Sequence, residues 1–363
     1  METKIPLYKV FMAQEVNEPL LQTLHSGWVG QGPKVEKFET TLSEYLHHRW
    51  VSHAVVALNS CTSAMELALS LIDDGTGGEI ITNPIACIAS ITAILSRGFT
   101  PRFADIDPYT GNLDMADVFS KVNENTKGVL VVHFCGQPTD VSALHEASIP
   151  VIEDCAQALG SELNGIRVGA SDKLGIKCLS FQSVKTLTTT DGGAIVVPNE
   201  ELYLRARKLR WYGLDRFKDR YSQDVAEPGF KFAMNDVMAT IGLANISHLE
   251  RLTEIQINNW KHYDNALSEQ SGLRLMRRQE GSISACPLYP ILVENKEGFC
   301  EKMKSAGIDV ALPHGLCTTH SCVHAEPLAE ASWFHKKLIA IPAGWWVGEE
   351  EIEHIIKTVK EGW

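Results

Sequence analysis

Residues Ala54-Val-Val-Ala-Leu58 read as a short apolar strand, and Asn59-Ser-Cys-Thr-Ser63 turns the chain directly into Ala64-Met-Glu-Leu-Ala-Leu-Ser-Leu-Ile72. The second stretch has helical apolar spacing, with Ser60 or Thr62 placed to cap its start. The same unit recurs. Glu79-Ile-Ile-Thr82 predicts a strand and Ile88 to Leu95 a helix; Pro101 to Asp105 predicts a strand and Asp114 to Lys121 a helix. Gly128 to His133, Asp140 to Glu146 and Pro150 to Asp154 continue the alternation. Strands apolar on both sides, joined through helices by short loops, predict an α/β domain around a mostly parallel sheet with both faces covered.

Downstream, Leu202 to Tyr212 reads as a basic helix and Asn235 to Asn259 as one long helical stretch. The character changes after about Gln270. A strand over Ser284 to Leu292, a helix near Glu297 to Ala306 and a last helix near Glu349 to Lys360 suggest a smaller α/β domain. The expected division is 1–250 for the large domain, including an N-terminal arm, and 251–363 for the small one.

The chain has 363 residues, 44% of them hydrophobic, enough for two cores. With 33 Lys and Arg against 45 Asp and Glu, its net charge of −12 argues against a nucleic-acid polymer as partner. No apolar run approaches a membrane span, and the start Met1-Glu-Thr-Lys is polar. Nine widely spaced cysteines, an odd number, suit reduced thiols in a cytoplasmic protein.

Three pieces carry chemistry. Thr62 and Ser63 lie at a strand-to-helix junction, where backbone N–H groups, hydroxyls and the helix dipole converge on an anion. An ordinary N-cap would have the same residues. Asp154 ends an apolar strand, the edge at which open α/β sheets bind ligands. It could hold a protonated ring nitrogen or ligate a metal, whereas Glu153, on the alternate side, reads as structural. Lys185 follows the apolar strand of Cys178-Leu-Ser180 and precedes Asp191-Gly-Gly193 in a hydroxyl-rich turn. A desolvated lysine there could form an imine with a carbonyl compound. Phosphate, ring nitrogen and imine together describe a pyridoxal 5'-phosphate site. Lys173 and Lys177 read instead as surface charges.

The chain resembles the DegT/DnrJ/StrS-type sugar aminotransferases of pyridoxal-phosphate fold-type I nearly end to end. The resemblance runs from Gly27-Trp-Val-Gly-Gln-Gly-Pro33 through Asn59-Ser-Cys-Thr-Ser-Ala64, Asp105-Ile-Asp107, His133-Phe-Cys-Gly-Gln-Pro138 and Glu153-Asp-Cys-Ala-Gln157. It continues in Ser180-Phe-Gln-Ser-Val-Lys185, Asp191-Gly-Gly193, Arg210-Trp-Tyr-Gly213 and Met234-Asn-Asp236. It implies a large mixed-sheet domain between helices and a smaller C-terminal α/β domain. It also implies Lys185 as the Schiff-base lysine, Asp154 on the pyridine nitrogen and Gln157 near the ring hydroxyl. Thr62, Ser63 and Ser180 then match phosphate ligands, and Lys231 reaches the phosphate of a neighbouring subunit in a homodimer. The implied reaction moves an amino group from glutamate to a nucleotide-linked keto sugar by a ping-pong route. A related branch has His in the lysine slot and dehydrates the sugar at C3. A catalytically silent cofactor-binding regulator is the alternative from another class.

The chain departs from the family pattern twice. Cys87 stands where an aromatic residue often stacks on the cofactor, and Ala233 where a polar residue is usual. Other features stay open. Cys317, His320, Cys322 and His324, with His314 nearby, fit a zinc site, a substrate-facing loop or a plain structural role. Trp28 fits either a place near the site or a buried turn anchor. Trp345-Trp346 reads as packing, and Arg207, Lys208 and Arg210 as a basic helix face for surface or interface pairing.

Overall fold

The computed structural model describes residues 5–46, 54–170 and 175–363. The strand–helix alternation closes into a seven-stranded sheet made of β1 Val55–Leu58, β2 Glu79–Thr82, β3 Thr100–Phe103, β4 Thr126–Val132, β5 Val151–Asp154, β6 Ile176–Ser180 and β7 Gly193–Val196. Their spatial order is β1-β7-β6-β5-β4-β2-β3. The five strands from β6 to β3 run parallel, and β7 is antiparallel to both its neighbours. The sheet is therefore mixed but mostly parallel, as its apolar strands require. Four of these strands, β1, β5, β6 and β7, are buried at every position.

The helices α1 Pro33–Tyr45, α2 Cys61–Ile72, α3 Ile88–Ser96 and α4 Glu200–Leu209 pack around this sheet. The stretch expected as one helix from Asn235 is two, α5 Asp236–Ile246 and α6 Leu249–Leu267. Asn235 caps α5 by accepting from the Met238 N–H at 2.9 Å. The break at Ser247–His248 separates two different burial patterns. α5 buries most of its surface, whereas α6 carries a stripe through Leu252, Gln256, Trp260, Tyr263 and Leu267.

That stripe ends in a second core. Strands β8 Leu273–Leu275, β9 Leu288–Val293 and β10 Leu338–Pro342 form an antiparallel sheet in that order. Tyr263, Tyr289, Phe299 and Phe334 fill the core with the terminal helix α7 Glu349–Lys360. Each such side chain contributes roughly 1.5–3 kcal/mol of burial. The architecture is the expected α/β one, a large mixed sheet between helices and a smaller C-terminal α/β part.

Two threads tie the C-terminal part to the rest. Ile5 and Leu7 are buried in its core, and Ile5 bridges to Ile308. Gly315–Leu316 pairs antiparallel with Ile85–Ala86 and carries His314 to the edge of the large sheet.

Candidate active site

Asp154 closes β5 and is only 4% exposed. One carboxylate oxygen accepts from the Ser90 hydroxyl at 2.9 Å and the other from the Ala156 N–H at 3.0 Å. No cationic side chain among the described residues pairs with it. A cavity of about 300 Å³ opens beyond it. The cavity brings together Thr62, Asp154, Gln157, Ser180 and Lys185 from three separate segments of the chain.

The start of α2 faces the same cavity. Ser60 caps it, accepting from the Ser63 N–H at 3.0 Å, and both Ser60 and Thr62 line the space. Ser63, expected as a phosphate ligand, does not line the cavity; its hydroxyl donates to Asn59 Oδ1 at 2.7 Å. A Cβ on Gly193 would lie 2.4 Å from the Ser60 carbonyl carbon and 2.5 Å from the Cys61 nitrogen. Only glycine lets β7 approach the helix start this closely.

Lys185 sits in the turn after β6, where its N–H donates to the Gln182 carbonyl at 2.9 Å. Its charge is felt throughout the site. It opposes the burial that pushes the thiols of Cys61, Cys135 and Cys286 up. Burial first, then the Lys185 ammonium, push the His314 imidazole down to about 3. His314 is therefore neutral, and its Nε2 lies 2.9 Å from Gln157 Oε1. The same oxygen accepts from the Cys135 N–H at 3.2 Å. Cys135 holds a left-handed φ of 47°, costly for a residue with a Cβ, and this turn aims its N–H at Gln157.

Beneath Asp154 lies a buried ionic group. The Lys177 ammonium is 3.1 Å from Glu153, and both side chains are under a tenth exposed. His133 Nδ1 accepts from the Thr139 N–H at 3.0 Å, so Nε2 carries the proton toward Glu153, 3.0 Å away. His133 also lines the cavity, and its N–H donates to the Asp154 carbonyl at 3.2 Å. Lys177 is thus not the surface charge that the sequence suggested; burial in β6 is tolerated because Glu153 lies opposite it in register. Lys173 lies outside the described residues.

Arg210 also departs from expectation. It is 2% exposed and donates to Glu39 and the Ala57 carbonyl, so it pins α1 to β1 and leaves the basic helix face. Lys231 is exposed and does not line this chain's cavity. Its ammonium sits 3.7 Å from the Trp211 ring centroid, and burial followed by Arg216 lower its pKa. Trp28 is 55% exposed and outside the cavity, so it is no buried anchor. Trp346 donates from its indole to the Pro6 carbonyl at 2.7 Å, a packing role. No group of three or more His, Cys, Asp or Glu among the described residues could hold a metal ion, so Cys317, His320, Cys322 and His324 do not gather into one. Cys317 instead contacts the Ala86 carbonyl. All nine cysteines are free thiols, and Cys87 lines the cavity.

The donor set fits pyridoxal phosphate. A buried carboxylate without a cationic partner suits a ring N–H, and a capped helix start with Thr62 and Ser60 suits a phosphate. The lysine amine opens onto the space between them. The comparison with known proteins agrees. The model of the DegT/DnrJ/EryC1/StrS aminotransferase family matches residues 11–360. The chain belongs to this family. The crystal structure of AtS13 from Actinomadura melliaura is 33% identical, each chain covered over its full length, with a TM-score of 0.95. That of the sugar aminotransferase CalS13 from Micromonospora echinospora is 32% identical with a TM-score of 0.94, covering 99% of this chain and all of the other. A UDP-4-amino-4-deoxy-L-arabinose–oxoglutarate aminotransferase of Shewanella sediminis is 32% identical over 74% of this chain and 70% of its own length.

This DegT/DnrJ/EryC1/StrS member is a pyridoxal-phosphate-dependent aminotransferase of fold-type I. No helix among its described residues is long and apolar enough to cross a membrane. Sequence reasoning did not place Ser60, His133, Gln182 or Asp191 in the cavity. A helix-capping serine and a histidine closing a strand look the same whether or not a ligand is near.

Proposed function

We propose that this aminotransferase moves an amino group from L-glutamate to a nucleotide-linked keto sugar, in two half-reactions that use one cavity in turn. The observation that carries the reading is the convergence of Lys185 and the unpaired Asp154 carboxylate on one cavity of about 300 Å³. The names of the Shewanella and Micromonospora relatives, an oxoglutarate aminotransferase and a sugar aminotransferase, support the donor and the acceptor class.

Pyridoxal phosphate, when bound, supplies an electron sink for the bond broken next to the transferred nitrogen. Each residue then has a role. Asp154 accepts the ring N–H and holds that proton in place. Thr62 and Ser180, with the start of α2, would hold the phosphate, and Ser63, expected among its ligands, would act only by holding that helix start in place. Gln157, fixed by Cys135 and His314, lies against the ring hydroxyl. Lys185 Nζ would hold the cofactor at rest and, in the reaction, would take up and return the proton at the carbon bearing the transferred nitrogen. Lys231 serves the phosphate of a second copy, which makes the working unit a homodimer. The domain division at 250 and 251 and a cytoplasmic site, suited to nine free thiols, are further parts of this reading.

The test is a panel of keto-sugar nucleotides incubated with nitrogen-labelled glutamate. The expected result is label in an amino sugar and release of 2-oxoglutarate, with ping-pong kinetics. A deoxy sugar without nitrogen would show dehydration instead. A holoenzyme whose visible cofactor band never responds to glutamate would refute the donor.

A further inference from the structure

We propose that Tyr8 and Lys185 share one ordered water in a second, small cavity, and that this water sets the direction of the lysine amine. The inference rests on Lys185 being the cofactor lysine and adds a residue to its control.

The second cavity has a volume of about 20 Å³. Gln157, Ser180 and Lys185 line both it and the cofactor cavity, so Lys185 stands between the two. Part of its wall comes from elsewhere in the chain. Tyr8 enters from the N-terminal arm and Cys286, Pro287 and Leu288 from the C-terminal part. A water needs roughly 10–15 Å³ and two to four polar partners, so the space admits one. The partners are present. Gln157 Oε1 is occupied by the Cys135 N–H and by His314, which leaves its amide nitrogen as a donor. The Tyr8 hydroxyl and the Lys185 amine make no hydrogen bond among the described residues. Ala156, Leu159, Val184, Thr186 and Leu187 complete the lining, and the Thr186 hydroxyl is already engaged, donating to Gln256 Oε1.

Tyr8 is held in position by the arm that carries it. The Ile5 N–H donates to the Gly307 carbonyl at 3.0 Å, the Asp309 N–H to the Ile5 carbonyl at 2.9 Å, and the Leu7 N–H to the Asp309 carboxylate at 3.3 Å. Trp346 fixes the Pro6 carbonyl between them. Tyr8 is 37% exposed; its partial burial, and then the nearby thiols of Cys286 and Cys135, raise its pKa, so its hydroxyl keeps its proton. The water can accept from Tyr8 and Gln157 and either accept from or donate to Lys185. It therefore serves the amine in both its charged and its neutral form. Tyr8 acts through the water and is a positioning residue.

The test is Tyr8→Phe in the holoenzyme, which keeps the ring and removes the hydroxyl. The expected result is a fall of about tenfold in kcat for the glutamate half-reaction with KM unchanged. The pH titration of the resting enzyme's visible band should shift, and the thermal unfolding midpoint should not. Wild-type kcat and titration in Tyr8→Phe, or a lower midpoint with an unshifted titration, overturns the proposal. So does a crystal structure of the holoenzyme with the small cavity dry. Lys185→Ala separates the two readings. If that variant keeps the visible band, the assignment of the lysine itself is wrong. If the band is lost and Tyr8→Phe matches wild type, only the water is wrong.

Discussion

Replacing Lys177 by Met strands a carboxylate where water does not reach. In the native chain the Lys177 ammonium and Glu153 are 3.1 Å apart, with side chains 3% and 8% exposed. Burial alone would raise the Glu153 pKa. The Lys177 charge and the His133 hydrogen bond overcome it and hold the carboxyl at about 2, against an ordinary 4.5. At about 1.4 kcal/mol per pH unit, that gap corresponds to about 3 kcal/mol. The folded-state value is depressed, so this stabilisation is present above about pH 4.5 and is lost as pH falls through about 2. The figure agrees with the roughly 3–5 kcal/mol lost when one partner of a buried pair is removed. Urea unfolding at neutral pH of wild type, Lys177→Met, Glu153→Gln and the double variant is the assay. Lys177→Met should lose about 3 kcal/mol, and the double variant should regain most of it, because no charge is then buried alone. A loss below about 1 kcal/mol, or a double variant as unstable as the single, would refute the reasoning.

Three further outcomes follow from the site. His314 is held at about 3, while an unfolded imidazole takes up a proton below about 6.5. Lowering the pH from about 7 to about 5 should therefore cost the wild type about 2 kcal/mol more than His314→Gln, read from urea unfolding at both values. Asp154→Asn keeps an oxygen to accept from the Ala156 N–H but loses its charge; pyridoxal phosphate titrated into the apoenzyme should bind about 2–5 kcal/mol more weakly. Gly193→Ala places a Cβ about 2.4 Å from the Ser60 carbonyl carbon. It should cost about 1–3 kcal/mol in thermal unfolding and weaken cofactor binding, because β7 and the start of α2 must part.

The large sheet was legible because its strands are short, apolar and separated by helices with strong periodicity. Asp154 stood out because a carboxylate ending an apolar strand needs a reason, and Lys185 because it follows another such strand in a hydroxyl-rich turn. Pairing across strands left no such trace. Lys177 and Arg210 read as surface charges because a sequence does not show that Glu153 lies opposite one in the next strand and Glu39 beside the other. The break between α5 and α6 was hidden too, since apolar residues continue across Ser247–His248 while the face they bury changes. Tyr8 gave no signal because it reaches the site through an arm whose Ile5 and Leu7 are buried in the C-terminal core, about three hundred residues away in sequence.

The central claim is that Lys185 is the residue that binds pyridoxal phosphate. Borohydride reduction of the holoenzyme, followed by proteolysis and mass spectrometry, reads that link directly. The cofactor mass should appear on the peptide containing Lys185 and should be absent from Lys185→Ala treated in the same way. Attachment to any other lysine, Lys177 and Lys231 included, would contradict the account.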